Sequence, residues 1–241
     1  MLRAEGITIG TRLRDVSTAI EPACITAICG PNGAGKSTLL QVLAGLLRPE
    51  AGRVMLEGEA LDTLHPRERA KAIGYLPQDA EIAWDVAVRS LVALGRLPHR
   101  DRGNAQVEAA LAALDLEALA ERPVSQLSGG ERARALLARV IAGDPRWILA
   151  DEPFAALDLA HQARLLAQLA AQAASGAGVV VVVHDLALAM NHAQRVVVLD
   201  RGRVVADSAP AAALTPDLLR AVWQVDAEWI GKPGRRALVT R

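Results

Sequence analysis

Gly30-Pro31-Asn32-Gly33-Ala34-Gly35-Lys36-Ser37-Thr38 fits the pattern of a glycine, four residues, then Gly-Lys-Ser. Glycines let successive backbone N–H groups turn toward one small concavity. Lys36 opens a helix, so the positive end of the helix dipole adds to its ammonium. Together they suit the β- and γ-phosphates of a nucleotide. The Ser37 hydroxyl suits a hard Mg²⁺ ion that keeps most of its waters. An apolar segment, 24–29, precedes the loop as a strand should. Leu39, Leu40, Val42, Leu43, Leu46 and Leu47 follow at helical spacing. That strand–loop–helix context separates a phosphate loop from a mere glycine-rich turn.

Outward from this loop, 241 residues allow one large domain or two small ones. Hydrophobic residues make up 51%, but aromatics only 2%, so alanine and leucine must fill the core. Lys plus Arg and Asp plus Glu are both 27. A net charge of zero gives no long-range pull toward nucleic acid or an anionic membrane. No segment approaches the roughly 18 apolar residues needed to span a bilayer. The start, Met-Leu-Arg-Ala-Glu-Gly, lacks a signal-peptide core. The expected location is therefore cytoplasmic, with any membrane role peripheral and through a partner. Cys24 and Cys29, five residues apart in an expected strand, read as small buried hydrophobes without a disulfide.

Residues 1–29 read as strands and turns: Ile7 and Ile9 alternate, then Val16 and Ile20, then the buried strand up to Cys29. The loop helix is expected over 36–47, stopping before Pro49. Short strands follow at 54–56 and 73–76, with Pro66 in the first turn of a helix between them. Residues 85–145 change texture. Asp85 is expected to cap a helix carrying Val86, Leu91 and Leu94, and Gly103-Asn104 to start another. Strand–helix alternation returns at Trp147, with strands at 147–150, 179–183, 196–199 and 204–205 and helices at 159–173 and 186–192. This alternation implies an α/β fold with a mostly parallel sheet. The tail from Ala206 is expected to hold one helix, 216–223, and an irregular end.

Two further segments carry chemistry. Residues 147–153 read Trp-Ile-Leu-Ala-Asp-Glu-Pro, a buried strand ending in Asp151 and Glu152. Ligands gather at the carboxyl ends of strands in such sheets. Asp151 is placed to hold the magnesium shell, and Glu152 to orient or deprotonate an attacking water. The second segment is Leu127-Ser128-Gly129-Gly130-Glu131. Ser-x-x-Glu is a capping box. Two glycines at a helix start also bare amides to a second anion.

The order of the phosphate loop, Gln78, Leu-Ser-Gly-Gly-Glu, Asp-Glu-Pro and His184 resembles the nucleotide-binding domain of the ATP-binding cassette (ABC) family across nearly the whole chain. The resemblance implies a P-loop NTPase (RecA-like) core with an N-terminal β subdomain and an inserted helical subdomain. One domain would span 1–241: the core at 1–84 and 146–205, the helical part at 85–145, the tail at 206–241. It implies a homodimer with each ATP held between the phosphate loop of one copy and Ser128, Gly129 and Gly130 of the other. Glu152, His184 and Gln78 would be catalytic, His184 bridging the γ-phosphate and Glu152. Gln78 would also contact Mg²⁺ or the water and sense a permease. Asp158 would contact the partner copy.

Residues 83–86 and 94–96, with the tail segments 214–217 and 225–227, look like ATPases of importers of iron chelates, haem and cobalamin. That likeness implies integral-membrane permease partners, an external substrate-binding protein, and a peripheral position on the cytoplasmic face. The helix from Asp85, with Trp84 and Val86, would dock on the permease. The chain departs from the family pattern at Glu131, where Gln is common, and at Ala155, where Ser is common. No aromatic stands between Ile7 and Arg14 to stack on adenine. Ile9 and Arg12 are the nearest substitutes, with Trp223 or Trp229 as the other option. A P-loop metabolite kinase would have no use for Ser128-Gly129-Gly130 beside Glu152. A non-transport cassette acting on ribosomes or DNA would usually carry tandem cassettes or coiled coils, and a sensor without turnover would not need Glu152.

Overall fold

The loop helix lies between two sheets, and that sandwich holds the phosphate loop. A computed structural model describes residues 1–78, 85–155 and 157–240. Strands β1 (Leu2–Ile9) and β2 (Leu13–Ile20) pair antiparallel. Next come β3 (Ile25–Cys29), α1 (Lys36–Leu43), β4 (Ala51–Leu56), β5 (Glu59–Ala60), α2 (Pro66–Ala72) and β6 (Ile73–Leu76). Strands β2, β1, β4 and β5 form one antiparallel sheet in that order. Helix α1 touches β1 on one side and the central sheet on the other.

Between β6 and the next strand lie α3 (Val88–Ala93), a 3-10 segment at Leu94–His99, α4 (Asn104–Ala113) and α5 (Gly129–Ala142). The chain then alternates through β7 (Trp147–Asp151), α6 (Leu159–Ala174), β8 (Gly178–Val182), α7 (Leu186–His192), β9 (Arg195–Asp200) and β10 (Arg203–Ser208). The central sheet runs β10-β9-β3-β8-β7-β6. Every pairing in it is parallel except β9 with β10 at one edge. The mostly parallel α/β sheet expected from the alternation is what forms.

Strands buried on both faces split their side chains with period two. Ala27, Cys29, Ile148, Ala150, Val179 and Val181 pack against the helices α3 to α7. Ile28, Trp147, Leu149, Val180 and Val182 pack against α1 and the antiparallel sheet. Each valine, leucine or isoleucine among them contributes about 1.5–3 kcal/mol on full burial. The two cores meet across the sheet and fix its carboxyl ends beside the phosphate loop.

Four expectations need correction. Helix α1 ends at Leu43, four residues short of 47. Gly45, at φ 67, takes the left-handed position after the cap. The Leu46 N–H then reaches Gln41 O at 2.9 Å and the Gly45 N–H reaches Val42 O at 2.9 Å, closing a Schellman turn. Asp85 does not cap α3, whose N-cap is Ala87. Val86 and Ala87 lie outside the helix because this stretch bridges to residues 122–124: Val124 N–H to Val86 O at 2.9 Å and Val88 N–H to Arg122 O at 3.0 Å. Asp85 instead accepts the Ser125 N–H at 3.2 Å. Leu94 consequently falls in the 3-10 segment that follows α3. Cys24 lies just before β3 and is half-buried, its thiol donating to Glu21 O at 3.2 Å, while Cys29 is buried.

The fourth correction concerns the tail. It holds α8 (Pro210–Ala213) and α9 (Pro216–Trp223), then a hairpin of β11 (Ala227–Lys232) and β12 (Arg235–Thr240) turned at Pro233-Gly234. Asn191 on α7 acts as a strand partner for this hairpin. Its side-chain amide donates to Arg236 O and accepts the Arg236 N–H, both at 2.8 Å.

Candidate functional site

The phosphate loop is clamped at both ends by backbone. Gly30 sits at φ 152, and a Cβ there would lie 2.2 Å from Leu199 O at the end of β9. Gly35, the N-cap of α1 at φ 102, would put a Cβ 2.6 Å from Arg12 O in the β1–β2 turn. Neither position admits a side chain. The same close approach carries Arg12 to the mouth of the loop. Lys36 is buried, its ammonium donating to Gly30 O at 3.0 Å and Pro31 O at 3.1 Å. Burial lowers its pKa, and the carboxylates of Glu152 and Asp151 and the Cys29 thiol pull the other way.

The carboxyl end of β7 meets the start of α1. Ser37 Oγ donates to Asp151 Oδ1 at 3.0 Å. Asp151 is 3% exposed. Burial raises its pKa first; the Ser37 hydrogen bond and nearby Lys36 oppose that, and the neighbouring Glu152 adds to it. Glu152 then leaves the strand in a left-handed conformation, φ 48, a costly one for a residue with a Cβ. Its two carboxylate oxygens are both held. Oε1 lies 2.5 Å from His184 Nε2, and Oε2 accepts from Gln78 Nε2 at 2.8 Å. His184 comes from the end of β8, next to Asp185. The Asp185 carboxylate caps α7 through the Ala187 and Leu188 N–H groups.

These residues converge on an open cleft of about 720 Å³ whose walls include Arg12, Asn32, Lys36, Ser37, Gln78, Glu152 and His184. Gly33, Gly35 and Thr38 line it as well. Ser128, Gly129, Gly130 and Asp158 do not. Ser128 and Glu131 form a complete capping box, Ser128 N–H to Glu131 Oε2 at 2.8 Å and Glu131 N–H to Ser128 Oγ at 3.3 Å. Asp158 caps α6, accepting the His161 N–H at 2.8 Å. Within one chain, then, the two anion-ready helix starts face separate surfaces.

Of the candidates for the base of a nucleotide, Ile9 is 8% exposed and belongs to the core, while Arg12 lines the cleft. Trp229 is committed elsewhere, its indole N–H donating to Leu214 O at 2.7 Å, and Trp223 packs against the helical core. Trp84 lies outside the described residues. Sequence reasoning passed over His161, although an aspartate followed three residues later by a histidine at a helix start was there to be read.

Residues 13–155 match the family described as ABC transporter. The chain is 45% identical to the hemin import ATP-binding protein HmuV of Nocardia farcinica, over 96% of this chain and 85% of that one. It is 41% identical to the cobalamin import ATP-binding protein BtuD of Halobacterium salinarum, over 89% of this chain and 56% of that one. Its fold is similar to the dimeric post-hydrolysis ATP-binding cassette MJ0796 bound to ADP and Pi. There the TM-score is 0.77 at 27% identity, covering 87% of this chain and 99% of that one.

Proposed function

The chain belongs to the ABC transporter family as an ATP-hydrolysing member, and from that premise we propose that it powers uptake of hemin or a related chelate. Kinship with import ATP-binding proteins for hemin and cobalamin supports this cargo class. One observation carries the reading. Ser37, Asp151, Glu152, His184 and Gln78, from four separate segments, meet at the mouth of the phosphate loop.

In the proposed mechanism the amides of residues 30–38 and the Lys36 ammonium hold the β- and γ-phosphates. Lys36 exchanges its bonds to Gly30 O and Pro31 O for phosphate oxygens. Ser37 and Asp151 would hold Mg²⁺, one hydroxyl and one carboxylate suiting an ion that keeps waters. When bound, Mg²⁺ neutralises charge on the β- and γ-phosphate oxygens. Glu152 accepts the proton of the water that attacks the γ-phosphorus. The bond from that phosphorus to the bridging oxygen breaks, leaving ADP and phosphate. His184 fixes the Glu152 carboxylate from one side and Gln78 from the other, so the base needs little reorganisation.

Among the described residues the cleft takes in one of the two anion-ready helix starts, and so is half a site. Ser128, Gly129 and Gly130 of a second copy would complete it, giving a homodimer, as in the dimeric relative. The Ser128 oxygen already accepts a hydrogen bond in the capping box. Its own proton stays available to a phosphate oxygen across the dimer.

The permease would dock on a groove of about 340 Å³ between α2, β6 and the 3-10 segment after α3. Its rim carries Leu97 at 70% and Leu94 at 39% exposure. Its floor is β6, which runs directly into Gln78 and so into Glu152. A membrane-embedded partner would have to supply the span. Among the described residues no helix is long and apolar enough to cross a membrane. The complex would sit on the cytoplasmic face, fed by an external binding protein, without nucleic acid.

Reconstitution of the chain with its permease in liposomes tests the proposal. ATP-dependent accumulation of hemin is expected, and it should stop when Lys36 is replaced by Ala. Accumulation that proceeds equally with the Lys36→Ala chain would refute the power-source role.

A further inference from the structure

Within one subunit the start of α6 lies against the start of α5. The imidazole of His161 covers the α-carbon of Gly130. A Cβ at Gly130 would lie 3.0 Å from ring Cγ and Cδ2 and 3.2 Å from Nδ1. At Gly129, one residue earlier, a Cβ would meet nothing within 4 Å. The two glycines are therefore not equivalent: the Gly130 α-carbon is already occupied from inside the chain. The other side of the ring is also fixed. Nδ1 is 2.7 Å from Asp158 Oδ1, the oxygen that also accepts the His161 N–H. An ionised carboxylate only accepts, so Nδ1 carries the proton and donates it there. The ring cannot swing off Gly130 without giving up that bond.

We infer that His161 is a positioning residue that locks the Asp158 corner to the Ser128-Gly129-Gly130 helix start, so that both surfaces offered to a second copy move as one body. The inference rests on the dimer reading above. Its physical content is a three-residue stack: carboxylate, imidazole, bare α-carbon. The carboxylate also sits at the positive end of α6, which favours its charge. Two loops that each had to find the partner separately would each lose conformational freedom on association. Joined through His161, they lose it once, before the partner arrives.

The test uses the slow-hydrolysing Glu152→Gln chain as parent and follows ATP-driven dimerisation by light scattering. His161→Ala should raise the ATP concentration for half-maximal dimerisation at least tenfold, while its thermal midpoint and its binding of ATP as a monomer stay those of the parent. His161→Asn should stay within threefold of the parent, because its amide puts a donor where Nδ1 was. Gly130→Ala should also weaken dimerisation, since its methyl strikes the ring. Removing the ring as well, in Gly130→Ala/His161→Ala, should recover part of the loss suffered by Gly130→Ala alone. A His161→Ala chain that dimerises within twofold of a dimerising parent overturns the inference and leaves the dimer reading standing. So does a double variant whose loss is the product of the single losses. A parent that stays monomeric with ATP overturns the dimer reading and the inference with it.

Discussion

His184 Nε2 lies 2.5 Å from Glu152 Oε1, joining the ends of two adjacent parallel strands across the mouth of the phosphate loop. Glu152 is held there at φ 48, a conformation its neighbours must enforce. Replacing His184 by Ala removes one of the two side chains that aim the carboxylate. ATP hydrolysis should fall at least about 10²-fold, in the range of a lost acid–base partner, with ATP binding retained. Turnover within threefold of the parent would show that Gln78 alone suffices.

Arg12 is the only described candidate from the β1–β2 turn that reaches the cleft, since Ile9 is buried. A guanidinium face supports a base without reading its edge, and base stacking on an aromatic is worth about 1–3 kcal/mol. ATP and GTP should therefore bind within roughly tenfold, about 1.4 kcal/mol. Arg12→Tyr should tighten ATP binding. Competition titration checks both, and an ATP preference above roughly a hundredfold would contradict the reading.

Glu131 is held below its ordinary value of 4.5, chiefly by the Ser128 backbone N–H it accepts. A lowered folded pKa contributes stability above the unfolded value, and that contribution is lost as pH falls through the folded one. Glu131→Gln should thus lower the thermal midpoint slightly at pH 7 and make no difference once the pH is well below 4.5. Melting curves across that range check it; a difference that grows on acidification would contradict the capping account.

Leu97 is exposed on the rim of the groove above β6. Leu97→Ser should leave the fold and ATP binding of the isolated chain unchanged and reduce co-purification with the permease several-fold. Undiminished assembly and transport would move the docking face elsewhere.

How far the sequence could be read follows from where each residue's partners lie. The phosphate loop was legible because its glycines answer to local geometry, Gly30 and Gly35 having no room for a Cβ. The buried strands were legible because burial on both faces leaves a run of valines. The capping box at Ser128 and Glu131 and the cap at Asp185 are contacts within three residues. The misread elements depend on distant partners. Asp85 lost its helix to strand-like pairing with residues 122–124. The tail hairpin alternates weakly, and Asn191 on α7 completes it. His161 is half legible: its bond to Asp158 spans three residues, but its ring meets Gly130 only after α5 and α6 have packed.

The central claim is that Glu152 takes the proton from the attacking water at this cleft. Phosphate release by Glu152→Gln, measured beside its ATP affinity, tests it most directly. The account predicts near-parental binding with turnover lowered by about 10²-fold or more. Hydrolysis within threefold of the parent, about 0.65 kcal/mol of barrier, would contradict it.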